Sequence, residues 1–178
     1  MQNRWPTLYV QTLMALLTRP RVFFATGFGA ISSPQASSIL LVSALFSAAS
    51  GMLLNHNGAP LGVGLICLIN AIGMAAIGAV IGFIAATVTT TAGRRYSFAH
   101  FWRIFSLSSG TVLLIAWVPS AFLFTEPWKW WLIGIGLVRG LGMSTTRAVI
   151  TVLFTFGTTV MFIYALLPVV QFCRSLVG

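Results

Sequence analysis

Uncharged apolar runs, each broken by a short basic or turn-rich stretch, recur along this chain at intervals that predict five membrane-crossing helices. The first runs from about Ala36 to Leu54, beginning after Pro34 and ending at Asn55-His56-Asn57-Gly58-Ala59-Pro60. The second lies within Leu61 to Thr91. It exceeds the roughly 20 residues a bilayer requires, so it tilts or lodges Thr87 to Thr91 among the headgroups. A basic loop from Gly93 to Arg103 precedes the third, Ile104 to Thr125, which Pro119 should kink by removing a hydrogen bond to the carbonyl of Ile115. Glu126-Pro127-Trp128-Lys129-Trp130-Trp131 reads as an interfacial turn, with aromatic rings at headgroup depth. The fourth helix, Trp130 to about Leu141, is shorter and carries Arg139 toward the surface. Gly140, Gly142 and Ser144-Thr145-Thr146 supply a turn and a helix cap. The fifth covers about Ala148 to Phe172, with Pro168 weakening its last turn.

Before the first span, Leu8 to Leu17 is apolar but interrupted by Gln11 and Thr12, and it lacks a small-x-small cleavage pattern. We therefore expect it to be retained as an amphipathic helix lying in the interface, with Leu13, Leu16 and Leu17 on one face. Arg19-Pro20-Arg21 should break this helix, and Phe23-Phe24 should re-enter apolar surroundings. The predicted fold is thus an all-α polytopic membrane helix bundle. Residues 1–35 form a cytoplasmic or interfacial segment, and residues 36–178 a five-span domain.

Small residues mark the expected helix contacts. Ser43, Ser47 and Gly51 recur every four residues in the first span, Gly78 and Gly82 form GxxxG in the second, and Gly136 and Gly140 repeat it in the fourth. Such residues permit close backbone approach where lipid provides little drive for association, either within the bundle or between copies of the chain. Polar groups inside the spans are few. Asn70 is expected to hydrogen-bond a neighbouring helix, and Ser106, Ser108, Ser109 and Thr111 either satisfy helix carbonyls or face a polar crevice.

Charge adds orientation. The chain is 58% hydrophobic and 6% charged with a net charge of +9, a composition that no soluble domain of 178 residues could display without aggregating. Arg4, Arg19, Arg21, Arg94, Arg95, Arg103, Arg139 and Arg147 fall on one set of termini and loops; Lys129 and Arg174 fall on the other. The positive-inside rule then puts the N-terminus in the cytoplasm and the C-terminus opposite. These Arg residues form a candidate face for anionic lipids or partner membrane proteins, each favoured by about 1 kcal/mol near an anionic leaflet. They sit singly or in pairs between apolar spans, unlike the clustered basic surface of a nucleic-acid binder, so nucleic acid is not expected as a partner.

The same composition excludes much chemistry. Glu126 is the only acidic residue, so no carboxylate dyad exists, and HExxH, Walker A and GxSxG motifs are absent. His56 and His100 fall on opposite sides in this topology and cannot share a metal or haem. Cys67 and Cys173 form neither a CxxC pair nor a metal-ligand spacing. We expect neither catalysis nor a cofactor.

Tyr96-Ser97-Phe98, Phe101-Trp102-Arg103-Ile104-Phe105-Ser106-Leu107-Ser108-Ser109-Gly110 and Ala116-Trp117-Val118-Pro119 together resemble the core of the Yip1 domain family. Ile133-Gly134-Ile135-Gly136-Leu137, the turn Gly142-Met143-Ser144-Thr145-Thr146-Arg147-Ala148 and Arg19-Pro20-Arg21-Val22-Phe23-Phe24 are similar to that family as well. The resemblance is carried mainly by residues 94–150. It implies a five-span fold with a cytoplasmic N-terminus, the topology that the charges indicate independently. The long soluble N-terminal region and Asp-Leu-Tyr-Gly-Pro motif of the trafficking branch, associated with Rab-type GTPases, are missing, and Arg139 stands where an acid is usual. The resemblance therefore implies the short prokaryotic branch and a bacterial inner membrane. Two functions follow as expectations: a non-catalytic protein organising lipids or partner membrane proteins, such as an accessory subunit of a larger complex, or a small transport or lipid-translocating protein using Asn70 and Ser106 to Thr111.

Overall fold

In a computed structural model that describes residues 5–54, 60–88, 96–116 and 118–177, the described residues fold entirely into helices and their connections. Helix α1, Trp5–Thr18, stops because Arg19 precedes a proline and is pushed out of the helical region, to φ −140° and ψ 56°. Pro20 then opens a single turn, α2, Pro20–Val22, where its missing N–H is no loss. A π-helical turn, Phe23–Gly27, and a 3-10 turn, Phe28–Ala30, carry the chain to the extended Ile31. Phe23, Phe24 and Phe28 turn inward together, so the break at Arg19-Pro20-Arg21 and the buried Phe23-Phe24 both match expectation.

Helix α3, Ser33–Leu54, begins with a reciprocal cap. The Gln35 side-chain oxygen accepts from the Ser32 backbone N–H at 2.8 Å, while the Ser32 hydroxyl oxygen accepts from the Gln35 N–H at 3.4 Å. Helix α4, Pro60–Val88, returns along it. Helix α5, Phe98–Leu113, lies against α3, α4 and the following helix. Helix α6, Phe122–Ile135, runs directly into a π-helical turn at Gly136–Gly140, and α7, Thr145–Val177, closes the bundle. Gly142 makes the reversal before α7 with φ 64°, a conformation that favours glycine. The Met143 N–H closes the π turn on the Leu137 carbonyl at 3.1 Å.

Among the described residues, three helices are long and apolar enough to cross a membrane: Ser33–Leu54, Leu61–Val88 and Thr145–Phe162. The other two predicted spans are corrected in their limits. The expected Ile104 to Thr125 helix ends at Leu113 and is followed by turns at residues 114–116 and 118–121. Pro119 opens the short 3-10 turn Pro119–Ala121 leading into α6, rather than kinking a continuous span. Conversely, Glu126 to Trp131 is no turn: it lies inside α6, where Pro127 sacrifices one backbone hydrogen bond. Glu126 and Lys129, one helical turn apart there, pair at 2.6 Å. α7 runs through Pro168 and on to Val177, beyond the expected limit at Phe172.

α5, at 16 residues, is shorter than these three helices, and its packing differs from theirs. Phe101 and every residue from Ile104 to Val112 are buried, so other helices rather than lipid surround it. A helix shielded in this way carries Ser106, Ser108, Ser109 and Thr111 without exposing hydroxyls to hydrocarbon. Its small residues admit close neighbours: a Cβ at Gly110 would lie 3.4 Å from the Leu40 Cα.

Helix α1 contributes to the same core. Leu13 and Leu16 are buried together with Phe24, Phe28, Ile104 and Leu137, and the Tyr9 hydroxyl lies 3.0 Å from that of Ser43. Leu13, Leu16, Phe23, Phe24, Phe28 and Ile31 of the N-terminal segment thus share one hydrophobic cluster with residues of the later helices, and Leu13 and Leu16 of α1 face protein.

Candidate functional site

The glycine pairs seat side chains from within the same chain. The Phe105 ring lies across Gly78 and Gly82, so that a Cβ at either would fall 2.8 or 3.1 Å from ring carbons. Gly136 receives Ile104 and Phe24, and Gly140 receives Phe28. In the first span Ser43 is fully buried, Ser47 is half-buried, and Gly51 approaches Cys67. These are knobs set into holes made by missing side chains.

Those contacts draw the basic residues to one end of the bundle. Arg103, in the first turns of α5, donates from Nη1 to the Ile31 carbonyl at 2.7 Å and lies 4.5 Å from the centroid of the Phe28 ring. Phe28 in turn packs on Gly140, beside Arg139. Trp102 next to Arg103 donates from Nε1 to the Ser37 hydroxyl at 2.8 Å, joining the starts of α5 and α3. Arg21 and Arg139 are exposed and line one groove, while Arg147 stands in the first turn of α7, two residues from Thr145 of the same groove. Arg19 borders a separate groove against Val22, Phe23 and Thr26. Arg94 and Arg95 lie outside the described residues.

Arg103 is thereby a structural tie as well as a charge. Arg103→Met should lower stability by about 2 kcal/mol, the usual size of a charge-assisted hydrogen bond plus a stacked cation. Thermal unfolding in detergent would then fall by about 4–8 °C; an unchanged midpoint would show that this tie contributes nothing.

The groove itself occupies about 510 Å³ between α6 with its π turn and α7. Arg21 and Arg139 line it together with Ile135, Val138, Val149, Val152 and Trp131, and Gly134 adds no side chain to the wall. From Arg139 to Trp130 the wall descends nine residues, or about 14 Å of helix. Neither Arg21 nor Arg139 makes a hydrogen bond or ion pair among the described residues, and the sole acid of the chain is engaged by Lys129. The groove thus presents two unpaired guanidinium groups beside an apolar wall. Such a combination suits a ligand with an anionic head and a hydrocarbon tail.

Among the described residues, Asn70 and the Ser106 to Thr111 cluster lie in different surroundings. Ser106 and Ser108 are sealed among helices with no hydrogen-bond partner, Ser109 is 8% exposed, and Thr111 bonds the Leu107 carbonyl. Asn70, expected to bond a neighbouring helix, is instead exposed on the outside of α4. Helical periodicity carried this signal: Asn70 is nine residues, two and a half turns, from the buried Ala79 and so lies on the opposite face. Sequence patterning gave no sign of the groove, because Arg21 is remote from α6 and α7 along the chain and Trp131 reads as an interfacial anchor. Compared with protein-family profiles, with curated proteins and with solved structures, the chain shows no match.

Proposed function

We propose that this chain is a non-catalytic integral membrane protein that holds an anionic phospholipid at its cytoplasmic surface, organising lipid there for itself or for partner membrane proteins. The observation that carries this reading is the groove of Arg21, Arg139, Trp131 and Val152, which sets two cations beside an apolar wall. A phosphate takes two guanidinium groups well, and an acyl chain replaces water along the apolar wall.

In this reading the chain crosses the membrane five times, with the N-terminus in the cytoplasm. α5 and α6 are the two short crossings, shielded by α3, α4 and α7. The starts of α3, α5 and α7 and the end of α6 then meet the cytoplasmic leaflet, where Arg19, Arg21, Arg103, Arg139 and Arg147 face anionic headgroups. The likeness of residues 94–150 to the Yip1 domain family supports the same topology, and an accessory role in a larger inner-membrane assembly fits a chain with so little exposed polar surface.

Native mass spectrometry of the protein released from mixed vesicles of phosphatidylglycerol and phosphatidylcholine tests the reading. A bound phosphatidylglycerol retained in preference to phosphatidylcholine is the expected result. Delipidated protein, or equal retention of both lipids, would refute lipid holding. Mass analysis of chains that copurify in mild detergent reports separately on the accessory role: a reproducible stoichiometric partner supports it, and a lone chain opposes it.

A further inference from the structure

The buried side of α4 is small and apolar: Ala75, Ala79 and Ala86 pack inward with Gly78 and Gly82. Its outer side carries Leu65, Ile66, Ile69, Val80 and Ile84, exposed as lipid-facing side chains should be, and among them the exposed amide of Asn70. Asn70 is ten residues past Pro60 in a helix of 29, which sets it within about 7 Å of the bilayer midplane whether the helix is centred or its far end lies in the headgroups. There no water can satisfy it.

Other outward polar side chains solve this locally. The hydroxyls of Thr26, Ser38 and Ser50 donate to the carbonyl four residues back, and that of Thr87 to the carbonyl three back. Asn70 makes no hydrogen bond among the described residues. Its amide has two N–H donors and an acceptor oxygen, so leaving it in hydrocarbon is unfavourable.

We propose that Asn70 is the centre of a homodimer interface in which α4 of one copy packs on α4 of a second, with the two amides hydrogen-bonded to each other across a twofold axis. An amide is its own complement, since each donor meets the other's oxygen, and a twofold interface needs only one patch. No charge on this face selects a different partner. Gly73 stands one turn further along, where a Cβ would meet nothing within 4 Å, and its bare backbone admits the second helix closely.

Full-length donor- and acceptor-labelled protein mixed in phosphatidylglycerol–phosphatidylcholine vesicles provides the test. Energy transfer should persist as lipid dilutes the protein, and Asn70→Leu should weaken association roughly tenfold, the scale of an interhelical polar contact. Leucine suits a lipid-facing position, so that variant should fold, and Asn70→Gln should retain much of the association. With Cys67 and Cys173 replaced by Ser, Asn70→Cys should give oxidant-induced dimers where Leu41→Cys, on α3, does not. Transfer that falls to the random-crowding level for the wild type, or survives Asn70→Leu undiminished, overturns the proposal, as does cross-linking at position 41 but not at 70. None of these outcomes depends on lipid in the Arg21–Arg139 groove.

Discussion

Replacing Gly136 by alanine should destabilise the protein by about 1–3 kcal/mol, the usual cost of an added methyl group in a packed core. The backbone at Gly136 has φ −58° and ψ −42°, which any residue adopts, so glycine is required for space alone. A Cβ there would lie 2.7 Å from Ile104 Cγ2 and 3.1 Å from Phe24 Cε1. Neither neighbour can yield easily, because Ile104 is 0% and Phe24 1% exposed. The contact joins the end of α6, α5 and the N-terminal segment, so its loss should loosen the Arg-bearing end of the bundle. Thermal unfolding in detergent should shift down by about 3–10 °C. Gly157→Ala is the control: a Cβ there meets nothing within 4 Å, and alanine improves helix propensity. A Gly136 variant as stable as the Gly157 variant would contradict the packing described.

Removing both cations of the groove should have the larger effect on ligand. Arg21→Gln with Arg139→Gln leaves the apolar wall intact and takes away the two charges that line the groove. At about 1 kcal/mol for each cation near an anionic surface, retention of phosphatidylglycerol should fall roughly thirtyfold, with folding little changed because both side chains are exposed. Arg19→Gln borders a different groove and should preserve most of the retention. Counting lipid adducts on each variant by native mass spectrometry would decide the matter. Equal retention by the double variant and the wild type would show that the Arg pair does not bind the headgroup.

What the chain reveals before folding is uneven, for physical reasons. α3 and α4 were legible because each is a long, uncharged and mostly apolar run, the length and composition that a bilayer crossing requires. α5 and α6 were misdrawn because protein surrounds α5, which relaxes that demand and permits its Ser-rich middle. The reversal between α5 and α6 carries Pro119-Ser120, which reads as a kink within an apolar run, whereas Glu126-Pro127 looks like a turn and is helical. The Arg-Pro-Arg break, the glycine reversal before α7 and the small-residue contact positions followed from local backbone chemistry and were readable. Which side chain fills each glycine hole was not, since Phe105 over Gly78 and Phe28 over Gly140 are long-range pairings. Arg21 and Arg139 were recognisable as members of one basic surface, but only folding puts them on the same apolar groove.

The most direct measurement of the lipid-holding claim keeps the acyl chains constant and changes only the headgroup. Thermal unfolding of the delipidated wild-type protein would be followed as phosphatidylglycerol or phosphatidylcholine of identical chains is added back. A ligand that binds the native state alone raises the midpoint with concentration, so phosphatidylglycerol should raise it and phosphatidylcholine should not, with the difference absent in the Arg21→Gln, Arg139→Gln variant. Equal shifts with the two lipids, or a phosphatidylglycerol shift that survives loss of both arginines, would contradict the account.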